Sequence, residues 1–248
     1  MSPLYGTKYR GQMSEHTERL FFALGLDTVE NHPGFRQLQR FNRDLPHPSL
    51  TTNGEQLGRA VPNANLHITL AFLGAVTAAQ KQHIIAAANQ IKVPTFSLRC
   101  NTLGFWHKSR VLWLGCQYYP DALTQLATQL QHSAQQTGLH QLERQYVPHI
   151  TLRKRVQSLP QWQPSLTAAP HLAQSDKPHH ASAPLSSPLY KYVKHRSQQA
   201  PHSMPHSLAP DLTFHFRHFG LYISEQIKTG QPQLRYRCLQ QWSLLSDA

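Results

Sequence analysis

Asn65-Leu66-His67-Ile68-Thr69-Leu70-Ala71-Phe72-Leu73-Gly74 and Val147-Pro148-His149-Ile150-Thr151-Leu152-Arg153-Lys154 each carry the tetrapeptide His-Ile-Thr-Leu, and the two copies stand 82 residues apart. From the chain's own residue frequencies a chance second copy is expected in roughly a few cases per thousand. Each copy lies in a run of branched and aromatic residues that reads as a strand. In a strand side chains alternate, so His67 and Thr69 share one face while Leu66, Ile68, Leu70 and Phe72 share the other. His149, Thr151 and Arg153 share a face in the second copy, with Ile150 and Leu152 anchoring it from behind. A polar face backed by an apolar one suits a half-buried strand at the edge of a cleft. Two imidazoles facing across such a cleft form an acid and base pair, because their unperturbed pKa lies close to neutral. A threonine hydroxyl two residues on can donate to a phosphoryl oxygen, and Arg153 can add a charge-assisted contact. Phosphate-ester cleavage is the chemistry this set suits.

Working outward, RLFFALGL (19–26) reads as a buried strand, and VENHPGFRQLQRFNRDL (29–45) as a short helix carrying Phe35, Leu38, Phe41 and Asn42 at helical spacing. The Pro- and Gly-bearing stretch 46–65 reads as a loop. After the first motif strand a helix is expected with Thr77 as N-cap and Ile84, Ile85, Ala88 and Ile91 inward. TFSLRCNTLGFW (95–106) and RVLWLGCQYY (110–119) read as two strands that pair across His-Lys-Ser. DALTQLATQLQHSAQQTGL (121–139) is a helix capped by Asp121, lined by Leu123, Leu126, Ala127 and Leu130, and stopped by Gly138. FHFRHFGLYIS and QLRYRCLQQWSL (233–244) alternate with period two and form a closing pair. The order suggests two similar halves of mixed helix and strand.

Lys plus Arg number 24 against 12 Asp plus Glu, a net charge of +12 before any of the 17 histidines is protonated. Such a balance favours polyanions, nucleic acid first, through counterion release. Three cysteines, Cys100, Cys116 and Cys238, form an odd number with no C-x-x-C pair. That encodes neither a disulfide framework nor a zinc knuckle, and a reducing cytoplasm is expected. No apolar run reaches the roughly 20 residues of a membrane span. The apolar Leu20–Leu26 run lacks the flanks of a secretory signal. Residues 1–16 read as a loose terminus, and 17–157 with 212–248 as the folded domain. Between them, 158–211 reads as a low-complexity Pro-, His- and Ser-rich insertion that is expected to be flexible. Ser158 to Pro210 holds nine of the 18 prolines, no glycine and one acidic residue, Asp176. Its six histidines (171, 179, 180, 195, 202 and 206) are scattered along polar chain, so no metal site is expected.

NLHITLAFLG and VPHITLRK, with RLFFAL near the start and RVLWLG between them, closely resemble the two-histidine phosphoesterases. Within these the likeness is to the RNA 2',3'-cyclic phosphodiesterases, also called bacterial 2'-5' RNA ligases, over residues 14 to 157 and 212 to 244. The resemblance implies an α+β fold of two pseudo-symmetric lobes, each an antiparallel sheet with outer helices, around a central cleft. It implies His67 as proton donor to the leaving ribose oxygen, His149 as base for the attacking water, and Thr69 and Thr151 as phosphate holders. The reaction implied opens RNA 2',3'-cyclic phosphate ends to 2'-phosphomonoesters with no metal or cofactor, in a monomer. Two other functions stay open here: ligation of tRNA halves through a 2'-5' linkage, and a non-catalytic module that grips single-stranded RNA. The 158–211 insertion departs from a compact member of such a family.

Overall fold

A computed structural model of the chain describes residues 16–45, 57–139, 146–157, 209–227 and 233–246. The loose terminus expected over 1–16 and the insertion expected over 158–211 therefore lie almost entirely outside the described residues.

Strand β1 (Glu18–Gly25) is followed by helix α1 (His32–Asp44), the two-residue strand β2 (Arg59–Ala60), strand β3 (His67–Val76) and helix α2 (Ala78–Ala88). Then come β4 (Phe96–Cys100), β5 (Thr102–Trp106), β6 (Val111–Gly115), helix α3 (Asp121–Gln136), β7 (His149–Lys154), β8 (Leu212–Phe216), β9 (His218–Ile227) and β10 (Gln233–Ser243). Eight strands form one sheet in the order β10-β9-β1-β3-β7-β6-β5, with β2 against β7, and β4 and β8 form a separate ribbon. Every strand pair is antiparallel. The fold is α+β.

The large sheet has two wings. One holds β10, β9, β1 and β3; the other holds β7, β6, β5 and β2. They meet where β3 pairs with β7 through a single rung, Ile68 opposite Ile150. Beyond that rung the strands part, and the edge of β7 is taken over by the segment around β2. Val61 N–H donates to the Leu152 carbonyl at 2.9 Å, and Ala60 and Arg59 lie opposite Arg153 and Lys154. β2 can come this close only because Gly58 precedes it with φ +61°: a Cβ there would sit 2.6 Å from the Lys154 carbonyl oxygen.

The wings are not the two halves of the sequence. The first is built from both ends of the chain and the second from its middle, so the halves suggested by element order are interleaved in space. Two long strands expected from sequence are also each broken at one residue. Asn101 separates β4 from β5, and Arg217 separates β8 from β9. β5 pairs with β6 and β9 with β10 as expected, while the leading pieces pair with each other from Phe96–Phe216 to Cys100–Leu212.

The helices cover the apolar backs of these strands. α3 lies on β3, where the Gln131 Nε2 donates to the Leu70 carbonyl at 3.0 Å, and its Leu123, Leu126, Ala127 and Leu130 are buried. Pro120, rather than Asp121, is its N-cap, leaving Asp121 in the first turn where its charge still suits the helix dipole. Thr77 caps α2 through a reciprocal box with Gln80. α1 buries Phe35 and Leu38, and is tied to β8 through the Asn31 amide, which donates to the His215 carbonyl and accepts from the His215 N–H.

Because the Ile68–Ile150 rung is the one ladder pair between β3 and β7 among the described residues and both side chains are fully buried, Ile150→Ala lowers the unfolding free energy by about 2–5 kcal/mol and Ile150→Val by about 0.5–1.5 kcal/mol. Denaturant midpoints measure both. Small, equal losses for the two variants would show that the rung is not packed.

Candidate active site

The register that joins the wings also assembles the site. With Ile68 opposite Ile150 in an antiparallel pair, His67 falls across from Thr151 and Thr69 across from His149. Residues directly opposed in this way project to the same face. The two histidines are then diagonal neighbours on that face, close enough for the charge of one to bear on the other. Ile68 and Ile150 face the other way, into the core.

Each imidazole is fixed the same way. His67 Nδ1 lies 2.7 Å from the Asn65 carbonyl oxygen and His149 Nδ1 lies 2.8 Å from the Val147 carbonyl oxygen. A carbonyl only accepts, so each Nδ1 carries the hydrogen and each Nε2 is left for other partners. Thr69 Oγ1 lies 2.9 Å from His67 Nε2 and donates to it while the ring is neutral. Aromatic walls hold both rings. Phe21 is 5.0 Å from His67 and Tyr236 stands edge-on to it at 5.2 Å. Trp106 stands edge-on to His149 at 4.5 Å, backed by Trp113. Trp113 in turn fits because its cross-strand partner is Gly104, where a Cβ would come within 2.1 Å of the indole.

A cavity of about 550 Å³ opens beside this pair, and His67, Thr69, Thr151, Lys154, Arg19 and Tyr236 are among the residues lining it. His149 sits two residues from Thr151 on the same strand face, its ring against Trp106. Burial pushes the His67 pKa down to about 4, opposed by the Asn65 hydrogen bond and reinforced by the positive charge His149 and Lys154 would place nearby. Burial also lowers His149. At neutral pH without ligand, both rings are therefore uncharged, and the positive charge of the cleft comes from its lysine and arginine side chains.

Arg153 is placed elsewhere. Its guanidinium donates to Asn42 Oδ1 and to the Asn42 carbonyl, and to the Leu45 carbonyl at 2.8 Å. It is 5 % exposed and closes the C-terminal end of α1, whose last carbonyls otherwise lack donors. The expected phosphate contact at Arg153 does not fit this placement. Its neighbour Lys154 is the strand-end cation on the cavity wall. Trp106, at the end of β5, packs on His149. Asn65 escaped sequence reading altogether. Its amide donates to the Leu234 carbonyl at 2.7 Å and accepts from the Tyr236 N–H, clamping the His67 anchor to β10. The signal was a short polar residue just ahead of the first motif, the kind that turns a chain by side-chain to backbone bonds. Among the described residues no cluster of three or more His, Cys, Asp or Glu could hold a metal ion, and no helix is long and apolar enough to cross a membrane.

Two outcomes follow from this geometry. Arg153→Leu orphans three buried acceptors and costs about 3 kcal/mol of unfolding free energy; a variant of wild-type stability with weakened phosphate binding would return Arg153 to the cleft. An anion in the cavity favours the imidazolium, so a nucleoside 2'-phosphate raises the His67 midpoint from about 4 by about 1–3 units. The imidazole proton resonances report this titration, and an unmoved midpoint would place the phosphate elsewhere.

The family model described as LigT like Phosphoesterase matches residues 35–113. The RNA 2',3'-cyclic phosphodiesterase of Escherichia coli (strain K12) is 38% identical over 140 residues, covering 56% of this chain and 73% of that protein. The protein of the same name from Aquifex aeolicus (strain VF5) is 31% identical over 102 residues, covering 39% of this chain and 54% of its own. Among solved structures, E. coli LigT complexed with 3'-AMP superposes with a TM-score of 0.62 at 26% identity, over 92% of this chain and 98% of that one. E. coli LigT in apo form gives a TM-score of 0.60 at 27% identity, over 93% and 99%. With its paired motifs on one sheet face and this degree of likeness, the chain belongs to the LigT-like phosphoesterase family.

Proposed function

We propose that the protein hydrolyses RNA 2',3'-cyclic phosphate ends to 2'-phosphomonoesters with His67 and His149 as the acid and base. The observation that carries this reading is the pairing of the two His-Ile-Thr strands about Ile68 and Ile150, with both Nδ1 atoms committed to carbonyls. His67 and both threonines line the cavity, and His149 lies on the same sheet face against Trp106, which supports an in-line displacement at phosphorus between the two Nε2 atoms.

His149 Nε2 takes a proton from water as its oxygen bonds to phosphorus. The bond from phosphorus to the 3'-oxygen breaks, and His67 Nε2 gives that oxygen its proton, leaving a 3'-hydroxyl and a 2'-phosphate. His67 begins this step protonated. Burial alone would keep it neutral, so the phosphate's negative charge supplies the driving force for charging it, and the charged ring disfavours a second proton on His149. Acid and base are thus kept in different protonation states by their proximity. When His67 is charged its Nε2 donates, which frees the Thr69 hydroxyl to donate to a non-bridging oxygen, as Thr151 does from the other strand. Lys154 adds charge from the cavity wall.

The substrate is RNA bearing the cyclic end, tRNA fragments among them, and the site works in a cytoplasmic monomer. Removing either imidazole costs about 10²–10⁴ in rate, and Thr69→Val or Thr151→Val about 10²-fold in kcat. The test uses a cyclic-phosphate oligonucleotide in EDTA, with phosphorus NMR to identify the product. Loss of turnover in His67→Ala and in His149→Ala, with a 2'-phosphate from the wild type, supports the reading. A wild-type rate in either variant, or a 3'-phosphate product, sinks it.

A further inference from the structure

A second cavity, of about 270 Å³, lies next to the first and shares Val61, Asn65, Lys154, Gln226, Leu234 and Tyr236 with it, so the two are one continuous groove. The new part of its wall brings two more cations, Arg59 from β2 and Arg155 from the end of β7. None of Arg59, Lys154 and Arg155 belongs to an ion pair among the described residues. Nor, among the described residues, does the groove's lining include a carboxylate. On β9, Gln226 faces it, and the adjacent Glu225 is held by Arg237 of β10. Three cations around a small concavity with no counter-charge repel one another unless an anion joins them, and burial together with Arg59 already lowers the Lys154 pKa.

The backbone is shaped to bring these cations together. Gly58 at φ +61° allows β2 to lie against β7, which sets Arg59 opposite Lys154. Arg155 is itself held at φ +58°, a left-handed conformation uncommon for a residue with a side chain. Such an outlier persists only where neighbouring structure enforces it. Here the following Val156 N–H is bonded to the Arg110 carbonyl at 3.1 Å.

We infer that this basic end of the groove binds the phosphate on the 5' side of the nucleotide whose cyclic phosphate reacts. The inference rests on the phosphodiesterase reading above, and the chemistry of the substrate then fixes which phosphate it is. A 2',3'-cyclic end uses both the 2'- and 3'-oxygens of its ribose, so the chain can leave that nucleotide only through the 5'-oxygen. A second anionic site contiguous with the reaction cavity therefore takes the preceding phosphate. Lys154, common to both cavities, stands between the two phosphates. The subsite reads backbone and not sequence, and it makes a phosphorylated 5' side a determinant of efficiency.

The experiment compares kcat/KM for a nucleoside 2',3'-cyclic phosphate carrying a 5'-hydroxyl with the same nucleoside carrying a 5'-phosphate, and with a dinucleotide ending in the cyclic phosphate. For the wild type the 5'-phosphorylated compound and the dinucleotide exceed the 5'-hydroxyl compound by about tenfold or more, the worth of one charge-assisted contact. That ratio shrinks as salt rises. Arg59→Gln and Arg155→Asn, the latter chosen because Asn tolerates the left-handed backbone, each lower the ratio, and the double variant brings it close to one. Using a ratio removes any general loss of activity or folded fraction. A wild-type ratio near one, or a ratio that survives the double variant, overturns the inference while leaving the phosphodiesterase reading intact. No turnover of any of the three compounds overturns that reading, and the subsite with it.

Discussion

One antiparallel rung, Ile68 against Ile150, is the constraint on which the rest of the molecule depends. Its two side chains are sealed in the core, so the residues on either side of them must face outward, and antiparallel pairing sets each His beside the Thr of the other strand. Shifting the register by one residue would turn every one of these side chains to the opposite face. The apolar half of the motif thus does as much for the site as the polar half, because it fixes the geometry that the imidazoles inherit. Past the rung β7 pairs with the β2 segment instead of β3, and the cavity lies over the same face, walled by β1, β3, β7, β9 and β10.

Much of this was legible in the residues themselves. Period-two alternation placed His67 with Thr69 and His149 with Thr151, and helical spacing found the buried stripe of α3. What stayed hidden was pairing at long range. At Asn101-Thr102 and Arg217-His218 two polar residues in succession shift the alternation of polar and apolar residues by one, a slip that marks a break but not which strand each piece then joins. Whether the leading piece joins the main sheet or another strand depends on partners more than 100 residues away. The interleaving of the wings is hidden for the same reason. Arg153 shows a different limit. Alternation put it on the polar face of its strand, but a register irregularity opposite Leu112 and Trp113 skips Leu152 of β7, and past it Lys154, not Arg153, shares the cavity wall with Thr151. The carbonyls at the end of α1 offered several charge-assisted bonds inside the protein, each worth about 1.5–3 kcal/mol, enough to hold a guanidinium that a more exposed site would have left solvated.

Electrostatically the cleft divides its labour. The imidazoles are kept uncharged by burial, whereas Lys154, Arg19, Arg59 and Arg155 remain cationic along the groove. Attraction of an anionic ligand is thus separated from proton transfer: the cations draw the phosphate in, and its arrival alters the titration of the ring it meets. A site whose histidines were already charged would hold phosphate more strongly but would have no acceptor for the proton of water. The two thiols Cys100 and Cys116, 3.4 Å apart, lie close to this arrangement, since Cys116 follows the Gly115 that pairs with His149.

The clamp made by Asn65 ties the earlier motif to the last strand of the domain. His67 takes its orientation from the Asn65 carbonyl, and the Asn65 amide is held by backbone atoms of Leu234 and Tyr236. A nascent polypeptide still emerging from the ribosome has both motifs long before it has those atoms. Catalytic competence therefore arrives late in biosynthesis, and a message cut short ahead of codon 234 yields a product that holds every proposed catalytic side chain yet lacks the brace that aims the first of them.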